Sequence, residues 1–172
     1  MRYVWATGTH QGRIRERNED SVFPKASGAA EGPLLVGVAD GMGGHVAGNI
    51  ASTLALTIAT EEPADTDTTI ADRILAANQA IQDRVSDEPT LAGMGTTMTI
   101  GSFSDDGAAT IGHAGDSRCY LLRDGELKRL TSDHTVVAEL VALGHIKKED
   151  IDTHPQRHLL TLRYLHFGVG HH

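Results

Sequence analysis

The chain has 172 residues, 40% hydrophobic and 22% charged, with 19 glycines and one cysteine, the composition of a single soluble globular domain. Fifteen Lys and Arg against 23 Asp and Glu leave a net charge of −8, and no basic patch stands out on that acidic background, which argues against a nucleic-acid surface. Cys119 has no partner for an internal disulfide, Met1–Trp5 turns polar by Thr7, and nothing approaches the roughly 18 apolar residues of a membrane span, so the expectation is a cytoplasmic protein that meets no membrane.

In chain order, Ser27 to Pro33, with two glycines and a proline, reads as a loop. Leu34 to Ala39 is a short apolar run that stops at Asp40-Gly41, as a buried strand delivering a carboxylate to its exposed end would. A helix follows over about His45 to Thr60, rich in small residues that allow close packing. Glu61 to Thr69 is polar and turn-rich. Beyond it Ile70, Ile74, Ala77, Ile81 and Val85 share one face of a second helix. Thr96–Phe103 and Ala108–Ala114 flank Asp105-Asp106-Gly107, and Arg118–Leu122 and Glu126–Leu130 flank Arg123-Asp124-Gly125. Both read as hairpins on tight primed turns, for which Asp-Gly supplies the positive-φ residue. A third helix spans about Thr135 to Leu143, with Gly144 at its C-cap. Antiparallel sheets covered by helices, an α+β fold, follow from this order.

Three clusters carry the chemistry. In Gly12-Arg13-Ile14-Arg15-Glu16-Arg17-Asn18-Glu19-Asp20-Ser21, an extended backbone would put Arg13, Arg15 and Arg17 on one face, where guanidinium forks suit a phosphate; the alternative is a solvated charged strand with local ion pairs. In Val38-Ala39-Asp40-Gly41-Met42-Gly43-Gly44-His45, glycines allow close backbone approach and Asp40 offers hard oxygen ligands to Mg²⁺ or Mn²⁺; the alternative is an Asp-Gly turn into a helix. Gly112-His113-Ala114-Gly115-Asp116-Ser117-Arg118 reads by itself as a hairpin strand with a bulge at Gly115. Chance rarely assembles the three in this order.

Arg15-Glu16-Arg17-Asn18-Glu19-Asp20-Ser21, Val38 to Gly44, Gly95-Thr96-Thr97, His113 to Arg118 with Tyr120, and Leu130-Thr131-Ser132-Asp133-His134 together resemble the bacterial form of the metal-dependent type 2C (PPM) serine/threonine protein phosphatases. The resemblance covers residues 3 to about 165. It implies an α-β-β-α sandwich of two packed antiparallel sheets flanked by helices, with two Mn²⁺ or Mg²⁺ ions at one end. It also implies hydrolysis of phosphoserine and phosphothreonine in protein substrates, by in-line attack of a metal-bridging hydroxide. Residue by residue, Asp40 aligns with the carboxylate bridging both metals and Gly41 with the residue whose carbonyl ligates one. Glu19 and Asp20 align with acidic residues that bind metal directly or through water. Arg15 aligns with the phosphate-binding arginine, and Asp116 with an acidic residue that helps hold a third, weaker ion. The chemistry fits: two divalent ions need several carboxylates, and a cation must steady the phosphate oxygens.

Two departures from that family stand out. Its complete members continue past the His154-Pro155 region to a Ser-Asp-Gly and an Asp-Asn motif, each carrying a metal-binding aspartate, and neither motif occurs here. The expectation is a single type 2C domain over residues 1–172 that is incomplete at its C-terminal end. Either the chain is a truncation, or the absent part is replaced by a second copy meeting exposed sheet surface, by a partner, or by histidines such as His154 or His158. A catalytically impaired relative or fragment that binds phosphoproteins or partners is the competing functional reading. The second departure is Met42, where eukaryotic members often carry a histidine; a bound water would then protonate the leaving alkoxide.

Overall fold

The computed structural model describes residues 1–43, 47–62, 67–157, 159–161 and 170–171. Its elements are β1 (Arg2–Trp5), β2 (Asp20–Phe23), β3 (Gly28–Glu31), β4 (Leu34–Met42), α1 (Ala47–Thr60), α2 (Ile70–Asp87), β5 (Gly95–Thr96), β6 (Met98–Phe103), β7 (Ala109–Ala114), β8 (Tyr120–Arg123), β9 (Glu126–Arg129), α3 (Val136–Ala142) and β10 (Gly170–His171). Among the described residues they form one antiparallel sheet in the order β10-β7-β6-β4-β2, with β5 also on β4, and two ribbons, β1-β3 and β8-β9. Among the described residues no helix is long and apolar enough to cross a membrane.

One face of the large sheet is sealed by α1 and α2. Ala39, Met98 and Ile100 meet Ala55, Leu56 and Ala59 of α1 and Ile70, Ile74 and Ala77 of α2. The small residues of α1 do what their size permits: a Cβ added to Gly41 would lie 1.9 Å from the Gly48 carbonyl oxygen, so helix and strand touch backbone to backbone. Thr69 caps α2, its hydroxyl accepting from Asp72 N–H while the Asp72 carboxylate accepts from Thr69 N–H.

The opposite face follows from the period of two along β4. Gly37, Ala39 and Gly41 turn to the helices, whereas Val36, Val38 and Asp40 turn away, and Val38 is left 43% exposed. A cleft of about 510 Å³ opens on this side, between Val36, Val38 and Ile111 of the sheet and Tyr3, Trp5 and Tyr120 of the ribbons.

Several expectations needed correction. Ser27–Pro33 is not only loop, since Gly28–Glu31 pairs along β1. The strand beginning at Leu34 does not stop at Asp40; it continues to Met42 because Gly41 and Met42 pair with Thr96 and Gly95. The β8-β9 hairpin has its primed turn, with Asp124 at φ 52° and Gly125 at φ 81°. The β6-β7 hairpin does not: only Gly107 has positive φ, and its N–H donates to the Ser104 carbonyl in a longer loop. The helix drawn from His45 is described from Ala47, and Gly44 and His45 lie outside the described residues. Gly144, at φ 73°, ends α3 as the C-cap reading requires.

Candidate active site

Strand register brings the first carboxylates together. Asp20 of β2 lies opposite Asp40 of β4. The adjacent Gly41 N–H donates to the Glu19 carbonyl at 3.1 Å, which makes Asp20 and Asp40 the pair without mutual backbone bonds, where side chains come closest. Their backbones are held from outside. Asp40 N–H donates to Thr97 Oγ1 at 3.0 Å, and the Asp40 carbonyl accepts from Thr97 N–H at 2.9 Å and Thr96 Oγ1 at 3.0 Å. Asp20 N–H donates to Asn18 Oδ1 at 3.1 Å, and Asn18 Nδ2 donates to Thr9 Oγ1 at 2.7 Å.

The electrostatics record the crowding. Although its cleft side is open to solvent, partial burial pushes the Asp40 carboxyl above the ordinary carboxylate range, and Asp20 and Asp116 push it further, against an opposing pull from Arg15. Two acidic side chains and one arginine from other parts of the chain therefore act on the Asp40 carboxyl. A cleft of about 360 Å³ covers the pair, walled in part by Thr9, His10, Val22, Val38 and Ser117.

Glu19 adds a fourth acid just behind. Its Oε2 accepts from Arg15 Nη1 at 2.8 Å, while Oε1 is buried with no hydrogen-bond partner, against Gly48, where a Cβ would come within 2.7 Å of it. A buried carboxylate oxygen without a donor is costly. Together with a carboxyl raised by two like charges, it is the electrostatic signature of a place suited to cations: hard oxygen donors in excess of the positive charge facing them. Among the described residues no three His, Cys, Asp or Glu side chains stand at metal-ligating spacing.

Arg15 reaches this site by another route than the sequence suggested. Residues 12–17 form turns and bends, with Gly12 at φ 80°, so Arg13, Arg15 and Arg17 are not aligned on an extended face. Gln11 Nε2 donates to the Arg15 carbonyl at 2.7 Å, and the guanidinium stays largely exposed with four of its five donors uncommitted by its bond to Glu19. An exposed cation beside a carboxylate group can take a phosphate.

Asp116 follows the end of β7. The strand does not bulge at Gly115; it ends at Ala114, and Gly115 turns at φ 108° against Thr97, whose Cβ and Cγ2 would lie 2.6 Å from an added side chain. Ser117 Oγ shares a hydrogen bond with Thr97 Oγ1 at 2.6 Å. Beneath, buried His113 bridges Thr99 Oγ1 at 2.8 Å and the Ser132 carbonyl at 3.1 Å. Burial, with the His134 ring 5.0 Å away and tilted by 35°, holds the His113 imidazole below the usual range. Asp133 clamps Arg118 at 2.8 Å and also pairs with Arg129. Asn18, Thr97 and Ser117 were visible in the motifs but carried no assigned role; an Asx position two residues before a strand was the signal for the first. His154 has its backbone and ring engaged locally, its Nδ1 accepting from Gln156 N–H at 3.2 Å, and His158 lies outside the described residues.

Comparison with known proteins decides the family. The family model "Protein phosphatase 2C" matches residues 7–140. The chain belongs to the type 2C protein phosphatase family. It is 42% identical over 161 residues to the serine/threonine protein phosphatase PstP of Mycobacterium tuberculosis (strain H37Rv), covering 91% of this chain but 30% of that protein. It is 37% identical over 163 residues to the serine/threonine phosphatase stp of Listeria welshimeri, covering 88% of this chain and 63% of that protein. The chain thus spans less than two thirds of these relatives. The solved Streptococcus agalactiae serine/threonine phosphatase superposes with a TM-score of 0.82 at 32% identity, over all of this chain and 74% of the other. The catalytic domain of PstP solved with two manganese ions superposes with a TM-score of 0.72 at 35% identity, over all of this chain and 70% of the other. The α+β architecture expected from the sequence is the one these relatives have.

Proposed function

We propose that this chain carries the phosphate-hydrolysing half-site of a Mn²⁺- or Mg²⁺-dependent protein serine/threonine phosphatase, acting on phosphoserine and phosphothreonine in proteins. The observation that carries the reading is the convergence of Asp20, Asp40 and Asp116 with Arg15, recorded in the raised Asp40 carboxyl. Relatives named serine/threonine phosphatases, one of them solved with two manganese ions, support it.

Asp40 and Asp20 would hold the metal ions, with the Gly41 carbonyl and Glu19 as further oxygen donors and Asp116 available to a third, weaker ion. When bound, the ions supply charge neutralisation at the phosphoryl group and a water acidified toward neutral pH. Arg15 exchanges its Glu19 bond for the phosphate oxygens and orients the phosphorus. Glu19, tethered at 2.8 Å, keeps that guanidinium aimed before substrate arrives. Thr96 and Thr97 fix the Asp40 backbone, so its carboxylate need not reorganise during the reaction.

The cleft between the large sheet and the ribbons supports a second statement. We infer that Val36, Val38 and Ile111 with Trp5 and Tyr120 make a self-association surface in this chain, since a cleft of that size and apolarity is costly to leave in water. The lone, half-buried Cys119, its thiol pushed up by burial, fits a reducing cytoplasm.

The test is hydrolysis of a phosphothreonine peptide with Mn²⁺. Turnover that needs metal and disappears in Arg15→Ala and Asp40→Asn supports the phosphatase reading. Metal-independent binding of the peptide without turnover supports the competing binding-module reading.

A further inference from the structure

We propose that Thr97 is the positioning residue of the metal site, its single hydroxyl setting the distance between the Asp40 and Asp116 segments. This deepens the phosphatase reading and rests on it.

The two carboxylates come from different places. Asp40 stands in the middle of β4, and Asp116 stands in the bend after β7. No backbone bond joins Asp116 to Asp40 among the described residues, yet their charges act on each other. Thr97, between β5 and β6, touches both. Its Oγ1 accepts from Asp40 N–H at 3.0 Å and shares a hydrogen bond with Ser117 Oγ at 2.6 Å, beside Asp116. Its N–H donates to the Asp40 carbonyl at 2.9 Å. Its methyl fills the space under Gly115, where an added Cβ would meet Cγ2 at 2.6 Å.

Thr97 is 2% exposed and among the largest fully buried side chains. A buried hydroxyl needs its bonds satisfied, and this one has both of its partners on the two acid-bearing segments. A weaker contact lies beside it: Thr99 Oγ1 is 3.1 Å from the Ser117 carbonyl and divides its one proton between that oxygen and His113 Nδ1 at 2.8 Å. The bend carrying Asp116 therefore meets Thr97, just before β6, and Thr99 within it, and the Thr97 contact is shared with Asp40. Carboxylates pushed together against their repulsion spread apart unless the backbones beneath them are tied. Groups behind metal ligands typically change affinity by about 10- to 100-fold when removed.

The substitutions separate hydroxyl from bulk. Thr97→Val keeps the methyl against Gly115 and deletes the hydroxyl; Thr97→Ser keeps the hydroxyl; Ser117→Ala removes the link from the other side without touching the Asp40 amide. Calorimetric titration with MnCl₂ reads affinity, and amide hydrogen exchange of metal-free protein reads the Asp40 N–H directly. The expected result is Mn²⁺ binding weakened about tenfold or more in Thr97→Val and in Ser117→Ala, with Thr97→Ser within about threefold of the parent. The double variant Thr97→Val/Ser117→Ala should be no weaker than the worse single one, because both changes cut one link. In metal-free Thr97→Val the Asp40 amide should exchange about tenfold faster or more, a readout that stands whether or not the parent binds metal.

Unchanged Asp40 exchange in a folded Thr97→Val overturns the proposal, as does Mn²⁺ affinity within threefold in both single variants, or additive losses in the double one. A parent chain that binds no Mn²⁺, with Asp40 exchange still accelerated, overturns the phosphatase reading and leaves Thr97 as the link between the two segments.

Discussion

Asp40→Asn should make the metal-free protein more stable, although it removes a residue at the centre of the site. Asp40 faces Asp20 as the closer kind of cross-strand pair, with Cβ atoms about 4.5–5.5 Å apart. At about 5 Å two unit charges repel by ~0.8 kcal/mol in a water-like medium and by ~3 kcal/mol at an effective dielectric of 20. Asp40 is open to solvent on the cleft side, so the lower part of that range, about 1 kcal/mol, is the expected gain. For a chain of this size that raises Tm by about 2–4 °C. Metal reverses the order: at a hundred times its dissociation constant a cation stabilises the parent by roughly 2.7 kcal/mol, about 5–10 °C, and the variant loses most of this. Scanning calorimetry in EDTA and in MnCl₂ therefore shows the two melting curves exchanging places. A metal-free Asp40→Asn protein that melts below the parent refutes the reasoning, because Asp40 would then be making stabilising contacts and not enduring repulsion.

Three further outcomes follow from the same geometry. Because the Asp40 carboxyl is raised in the folded protein, the folded state holds its proton more tightly than the unfolded one. Its contribution is complete below the ordinary carboxylate pKa of about 4 and is lost as pH climbs through the raised value. The Tm gap between metal-free Asp40→Asn and parent should thus vanish near pH 4 and open with rising pH, and a pH-independent gap contradicts this. Gly41→Ala places a Cβ 1.9 Å from the Gly48 carbonyl oxygen and should cost about 3 kcal/mol or more, a Tm loss of roughly 6–12 °C or failure to fold, read by circular dichroism. A loss under about 2 °C would mean that α1 can back away from β4. Sedimentation velocity should show concentration-dependent association that Val38→Lys abolishes, since Val38 is 43% exposed on the apolar face; a monomer at all concentrations removes the self-association surface.

The helices were the legible part of the fold because their signals are local. Ile70, Ile74 and Ala77 mark a face in any context, and that face is buried as read. The strands β2 and β3 were not legible. Asp20-Ser21-Val22-Phe23 begins with a charge and Gly28-Ala29-Ala30-Glu31 lacks side chains to alternate, so only their partners make them strands. The stop assigned at Asp40-Gly41 failed for a related reason: Gly41 and Met42 are strand because Thr96 and Gly95 pair with them, and Gly41 is glycine because Gly48 lies against it.

In the site, the acids and Arg15 could be named from the motifs, and the register of β2 on β4 gives them a common location. The path of the arginine segment could not be read, since Gly12 at φ 80° curls what alternation treats as extended. The ties beneath the acids were equally hidden. Thr97 and Ser117 are ordinary polar residues until a structure puts their hydroxyls 2.6 Å apart.

The most direct measurement is Mn²⁺ binding to the chain as it stands, by titration calorimetry and electron paramagnetic resonance, in the parent and in Asp40→Asn. Saturable uptake of interacting Mn²⁺ ions that is lost or weakened at least tenfold in Asp40→Asn is the predicted result. Absence of uptake in the parent, or uptake that Asp40→Asn leaves unchanged, would contradict the claim that Asp20 and Asp40 gather to hold divalent cations.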